Sequence, residues 1–138
     1  MFFMSTIVVT GAAGFIGANA VRRFTADGYN VHILTRPKSS LWRLDSIMGA
    51  VKNHHVDLLD YAKVEKALKS INPNFIFHFA AYGAYPFHKD EELIIKTNIN
   101  ASANLFRAAR ELKNLKLIVN AGSSSEYGVN PLPMKESD

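Results

Sequence analysis

The sequence contains no cysteine. That excludes a disulfide framework, a thiolate zinc site and a cysteine nucleophile, and it fits a reducing cytoplasm. Charge runs are missing too. The 16 Lys and Arg outnumber the 12 Asp and Glu, for a net charge of +4, yet no five like charges stand together. Nucleic-acid partners select basic stripes, so this scatter points away from nucleic acid and toward phosphorylated small molecules. Long apolar runs are also absent. Met1 to Val21 holds no acidic or basic residue, but Ser5, Thr6, Thr10, Gly11, Gly14, Gly17 and Asn19 interrupt it. With no basic segment before it, neither a membrane span nor a secretory signal fits. What is left is 138 residues, 48% of them hydrophobic. A chain of that size buries roughly two-thirds of its unfolded surface, enough for one core without staples.

Two further stretches, Ser70 to His88 and Leu117 to Ser125, also lack Asp, Glu, Lys and Arg. Strands buried on both faces of a parallel sheet demand such composition. The spacing predicts strands at Thr6 to Thr10, Asn30 to Thr35, Asn53 to Val56, Phe75 to Phe79 and Leu115 to Asn120. Between them it predicts a helix from the Gly17 region to Asp27-Gly28 and a short helix over Ser39 to Met48. A helix N-capped by Asp60 and a long helix over Asp90 to Leu112 follow. Strands alternating with helices, without repeats, indicate an α/β fold with a doubly wound parallel sheet.

The first strand runs directly into Gly11-Ala-Ala-Gly14-Phe-Ile-Gly17 and then a helix. Glycines at this spacing allow a tight turn, close approach of a pyrophosphate and close helix packing, with the anion on free helix N–H groups. Nineteen residues beyond Gly17, a domain built for the unphosphorylated dinucleotide places a carboxylate on the ribose hydroxyls. Here that carboxylate is absent and Arg36 stands in its place, followed by Lys38, Ser39 and Ser40. A guanidinium grips a 2′-phosphate, so NADP(H) is favoured over NAD(H), unless Arg36 is only a solvated loop residue. Asp57 is placed either to accept from an adenine amino group or to serve as a turn residue.

Thr10-Gly-Ala-Ala-Gly-Phe-Ile-Gly17, Asp57-Leu58, His78-Phe-Ala-Ala81, Thr97-Asn98 and Ser123-Ser-Ser-Glu-Tyr-Gly128 resemble, in order, the landmarks of the extended short-chain dehydrogenase/reductase family. That family includes nucleotide-sugar epimerases, dehydratases and reductases. The resemblance runs from Thr6 to the end of the chain. It implies a Rossmann-type sheet of strand order 3-2-1-4-5. It also implies Gly11, Phe15 and Ile16 along the pyrophosphate, Asp57 and Leu58 around adenine, and Ala80, Ala81 and Tyr82 beside the nicotinamide ribose. The serine turn would supply the catalytic hydroxyl. Counting back four from Tyr127 gives Ser123, and ungapped matching puts Ser124 and Ser125 where dehydratases carry an acid–base pair. A one-residue gap would instead align Glu126 with the dehydratase Glu. The family's Tyr-x-x-x-Lys pair is not found after this turn, so it is expected beyond Asp138. Residues 1–138 then form an incomplete NAD(P)-binding domain, inactive alone, of a parent expected to be a cytoplasmic homodimer acting on a nucleotide-sugar.

Other polar residues have plainer readings beside these. Asn98 shares a helical face with Ile94, Ala101, Leu105 and Ala108, turned to the sheet, where it either contacts cofactor or bonds the turn after the fourth strand. His78 reads as a satisfied core histidine more readily than as a catalyst. His54 and His55 point to opposite faces of a strand, and no histidine pair has metal spacing. Tyr85-Pro-Phe-His-Lys89 matches Tyr-x-x-x-Lys literally. Chance gives about 0.4 such matches at this composition, and Pro86 breaks the helix such a pair needs. Two function classes follow: the cofactor-binding part of an enzyme moving a hydride at a sugar carbon, or a catalytically silent NAD(P)-sensing module.

Overall fold

Val8 and Val9, adjacent in the first strand, are both fully buried. Neighbours in a strand face opposite ways, so both faces of the sheet must be covered, and they are. The structure, a computed structural model, describes residues 4–83, 87–123, 128, 134 and 135. Its strands are β1 (Thr6–Thr10), β2 (Asn30–Thr35), β3 (Val51–His55), β4 (Phe75–His78) and β5 (Leu117–Asn120). All pair in parallel, in the order β3-β2-β1-β4-β5. The expected Rossmann-type topology is therefore the observed one.

Helix α1 (Phe15–Ala26) and a 3₁₀ segment (Trp42–Ala50) belong to one face, where Ile7, Val9, Val21, Ile33 and Leu44 form a core cluster. Helices α2 (Tyr61–Ile71) and α4 (Ala101–Ala109) pack on the other, against Val8, Leu34, Ile76 and Leu105. A short helix α3 (Glu91–Ile95) leads into α4 through a π turn (Lys96–Asn100).

Three expectations shift. The third strand begins two residues early, at Val51, because Val51 pairs with Val31 and is itself buried. The predicted 39–48 helix is the 3₁₀ segment, which buries only Leu44. The single long helix over 90–112 is divided by the π turn and ends at Ala109, followed by a turn. Ala101, Leu105 and Ala108 face the sheet as predicted. Asn98, inside the π turn, is exposed as a residue, since the wider turn breaks the 3.6-residue phase.

Candidate functional site

The chain leaves β1 for one face of the sheet and β4 for the other. A crevice opens where these connections diverge, at the carboxyl ends of the strands. It measures about 390 Å³ and has three walls: Gly11 to Gly14; Thr35, Arg36, Ser39 and Asp57 to Leu59; and Phe79 to Tyr82 with Leu93, Thr97 and Ala101.

The glycine wall explains itself residue by residue. Gly11 has φ +68°, and a Cβ there would lie 2.4 Å from the carbonyl carbon of Phe79. A Cβ on Gly17 would lie 2.3 Å from the carbonyl oxygen of Gly11. These two glycines are therefore required by the protein's own backbone. Gly14 is different: its φ of −75° and ψ of 173° suit any residue, and a Cβ would meet only the Gly11 oxygen, at 3.2 Å. Gly14 is the N-cap of α1, yet it brings no side chain to the helix start, and the first turn holds no acidic residue. The free N–H groups of that turn, with the positive end of the helix dipole, favour an anion. Phe15 and Ile16 lie in this turn with side chains 75% and 63% exposed and outside the crevice wall, so only their backbone belongs to the helix start.

At the end of β2, Arg36 lines both the crevice and an adjoining hollow formed with Pro37, Lys38 and Ser39. A second guanidinium stands near that no motif in the chain marks. Arg43, in the 3₁₀ segment, donates to the carbonyl of Ala13 at 3.3 Å and stacks over Trp42 at 4.3 Å. Its place depends on how that segment packs on α1, which local pattern does not encode.

Asp57 is a turn residue at the crevice. It lines the crevice, and its Oδ1 accepts from the backbone N–H of Leu59 at 3.0 Å. Asn104 of α4 pins the same loop, its amide donating to the carbonyls of Leu58 and Leu59 at 3.0 and 3.1 Å. In the third wall, Asn98 accepts from the Tyr82 N–H at 2.9 Å and donates to the Tyr82 carbonyl at 2.6 Å. Asn98 thus grips the turn after β4 rather than lining the crevice. The Tyr82 ring stacks on His88 at 4.3 Å.

His78 is 2% exposed, and both ring nitrogens are engaged, Nδ1 with Thr10 and Nε2 with Ser102. Burial lowers its pKa, as expected of a core histidine. His32 and His54, unlinked by the sequence reading, join at 2.9 Å across β2 and β3. Burial first, then His54 and Lys52, push His32 down to about 4. Among the described residues no three His, Asp or Glu gather as a metal site, and no helix is long and apolar enough to cross a membrane. Ser123 is exposed, three residues past β5. Ser124, Ser125, Glu126, Tyr127, Tyr85 and Pro86 lie outside the described residues.

Known proteins resemble this chain in sequence and in fold. The chain is similar to tetraketide alpha-pyrone reductase 1 of Arabidopsis thaliana, 27% identical over 95% of this chain and 43% of the relative. It is similar also to UDP-glucose 4-epimerase of Lactobacillus helveticus, 28% identical over 94% of this chain and 39% of the relative. It thus spans about two-fifths of the length of the curated relatives it matches. In fold it superposes on epimerase Mth375 of Methanothermobacter thermautotrophicus with a TM-score of 0.86, at 24% identity, over 98% of this chain and 40% of that one. WbmH of Bordetella bronchiseptica, solved in complex with NAD+, gives a TM-score of 0.81 at 22% identity, over 95% of this chain and 43% of that one. The family model described as NAD dependent epimerase/dehydratase matches residues 7–138. With the glycine turn, the sheet order and the crevice in agreement, this chain belongs to the NAD dependent epimerase/dehydratase family.

Proposed function

We propose that the crevice binds a nicotinamide dinucleotide, NADP(H) in preference to NAD(H), and that residues 1–138 are the cofactor-binding part of a larger epimerase or reductase. The observation that carries this is the start of α1. Its N–H groups carry no side-chain cap, and its N-cap Gly14 is, of the three glycines in this turn, the one that the fold's own backbone constrains least. The pyrophosphate belongs there, held by the N–H groups of the first turn, Phe15 and Ile16 included. Gly11 and Gly17 give the turn its shape. Arg36 and Lys38 hold the 2′-phosphate, Asp57 and Leu58 enclose adenine, and Ala80, Ala81 and Tyr82 flank the nicotinamide ribose, with Asn98 fixing Tyr82.

A bound nicotinamide would supply hydride transfer between the carbon of a sugar hydroxyl and the corresponding ketone. Ser123, with Ser124 and Ser125, holds the reacting oxygen, and a Tyr/Lys pair from further chain moves the proton. A nucleotide-sugar substrate draws support from the UDP-glucose 4-epimerase relative. The relative's greater length supports a separate substrate-binding region, without which residues 1–138 do not turn over substrate. The exposed apolar side chains of Ile95 and Ile99, 51% and 61% accessible, support a homodimeric parent.

Calorimetric titration tests this. NADPH binds more tightly than NADH to the wild type, and Gly14→Val abolishes both. Full affinity in Gly14→Val would sink the pyrophosphate assignment.

A further inference from the structure

Thr10, His78 and Ser102 come from three elements and meet under the crevice. Thr10 ends β1, His78 ends β4 and Ser102 lies in the first turn of α4. Thr10 Oγ1 stands 2.5 Å from His78 Nδ1, and His78 Nε2 stands 2.8 Å from Ser102 Oγ. Phe106 closes the ring's flank edge-on at 5.8 Å. Counting protons gives the chain a direction. The Ala80 backbone N–H can only donate, and it reaches Thr10 Oγ1 at 3.4 Å. Thr10 keeps its own proton, and in the arrangement where it donates across the 2.5 Å contact that proton goes to His78 Nδ1. An accepting Nδ1 places the ring proton on Nε2, which donates to Ser102. Burial lowers the His78 pKa and so favours the neutral ring. No charged group contributes to that shift.

The chain of bonds joins two walls of the crevice. Thr10 precedes Gly11, whose missing Cβ lets the glycine turn touch the backbone of Phe79 and Ala80. Ser102 sits four residues after Asn98, which holds Tyr82 by both backbone groups. The segment from Ala80 to Tyr82 is therefore fixed at one end from β1 and at the other from the π turn, with His78 tying the two anchors together.

We propose that Thr10, His78 and Ser102 form a directional positioning relay that sets the Ala80–Tyr82 wall for the nicotinamide half of the dinucleotide. This rests on the dinucleotide reading above. The test compares two probes on the full-length protein: ADP, which reports the adenine half, and NADPH, which reports both halves. Thr10→Val and Ser102→Ala each weaken NADPH binding about tenfold, as expected for loss of one or two hydrogen bonds, while ADP affinity changes less than about twofold. Thr10→Ser, which keeps the hydroxyl, restores NADPH binding. ¹⁵N NMR of the wild type shows His78 neutral with its proton on Nε2. ADP binding in the same samples measures the folded fraction, so a variant that merely unfolds loses both ligands together. Parallel loss of ADP and NADPH in both Thr10→Val and Ser102→Ala, unchanged NADPH affinity in both, or a proton on Nδ1 would overturn the relay. A wild type that binds ADP but gains nothing from the nicotinamide half overturns the relay while leaving the adenine-end assignments intact. One that binds neither overturns the dinucleotide reading itself, and the relay with it.

Discussion

Helices α1 and α2 each follow a strand of the same sheet, yet they begin in opposite ways. Asp60 caps α2, its carboxylate accepting from the N–H of Lys63 at 3.1 Å. α1 starts at Gly14, with no side-chain cap and no acidic residue in its first turn. A helix start left without such a partner is unfavourable unless something else meets its N–H groups. On the proposed reading, the difference separates a helix that only has to be stable from one whose start is left open for an anion. α3 follows the first pattern, with Asp90 accepting from the N–H of Leu93 at 2.9 Å.

The most damaging way to disturb the comparison is to break the turn that presents α1. Gly11→Ala forces an L side chain into φ +68° and drives its Cβ against the backbone of Phe79 and Ala80. Backbone strain of about 1–3 kcal/mol and overpacking of about 1–3 kcal/mol put the loss of folding stability at about 2–6 kcal/mol. Denaturant titration reads it directly.

Next comes converting α1 into the α2 type. Gly14→Asp places a capping carboxylate in backbone geometry that accepts it, with only the Gly11 oxygen nearby at 3.2 Å. The helix gains the partner it lacks, and the carboxylate occupies and repels the pyrophosphate position. We expect dinucleotide affinity to fall about 100-fold or more while the melting temperature holds or rises. Calorimetry alongside thermal unfolding separates the two effects. A fall in both together would mean that Gly14 is there for the fold.

Much of this contrast could be read in the chain before folding it. Asp60 lies just before an amphipathic run, and the glycine spacing after a β-branched run marks the turn. Alternating strands and helices pointed to a doubly wound parallel sheet, and the family resemblance supplied its strand order. What escaped the sequence depends on packing between distant elements. The π turn places Asn98 on Tyr82, but its extra width has no local signature distinguishable from an ordinary helix. Arg43 reaches Ala13 across thirty positions through the seating of the 3₁₀ segment on α1. His32 and His54 meet only because β2 and β3 pair in one particular register. The three glycines looked alike as letters. Only the neighbouring backbone distinguishes Gly11 and Gly17, which the fold requires, from Gly14.

A smaller effect sharpens what kind of anion α1 receives. Arg36→Leu removes a guanidinium from the crevice wall without touching the helix start. NADPH affinity should fall about tenfold, the scale of a charge-assisted hydrogen bond, with NADH affinity unchanged. Loss of both cofactors equally would place Arg36 on the pyrophosphate instead of the ribose.

The mildest change removes the cap that α2 has and α1 lacks. Asp60→Ala leaves dinucleotide affinity unchanged and lowers the melting temperature slightly, since the Asp60–Lys63 ion pair at 2.9 Å is solvent-exposed and screened. Its signature is in the pH dependence. The Lys63 side chain and then its backbone N–H hold the Asp60 pKa below the ordinary 3.8. A folded-state pKa below the unfolded one means that the unfolded chain binds the proton more readily. The cap's stabilisation is therefore fully present above 3.8 and is lost as pH falls through the folded value. Asp60→Ala deletes that part of the acid limb and leaves stability flatter there than in the wild type. In Gly14→Asp the reverse holds, because a new carboxylate at the start of α1 adds an acid-labile contribution the wild type does not have. If thermal unfolding from pH 3 to pH 6 moves in opposite directions for the two variants, the acid sensitivity of the two helix starts differs by one carboxylate cap.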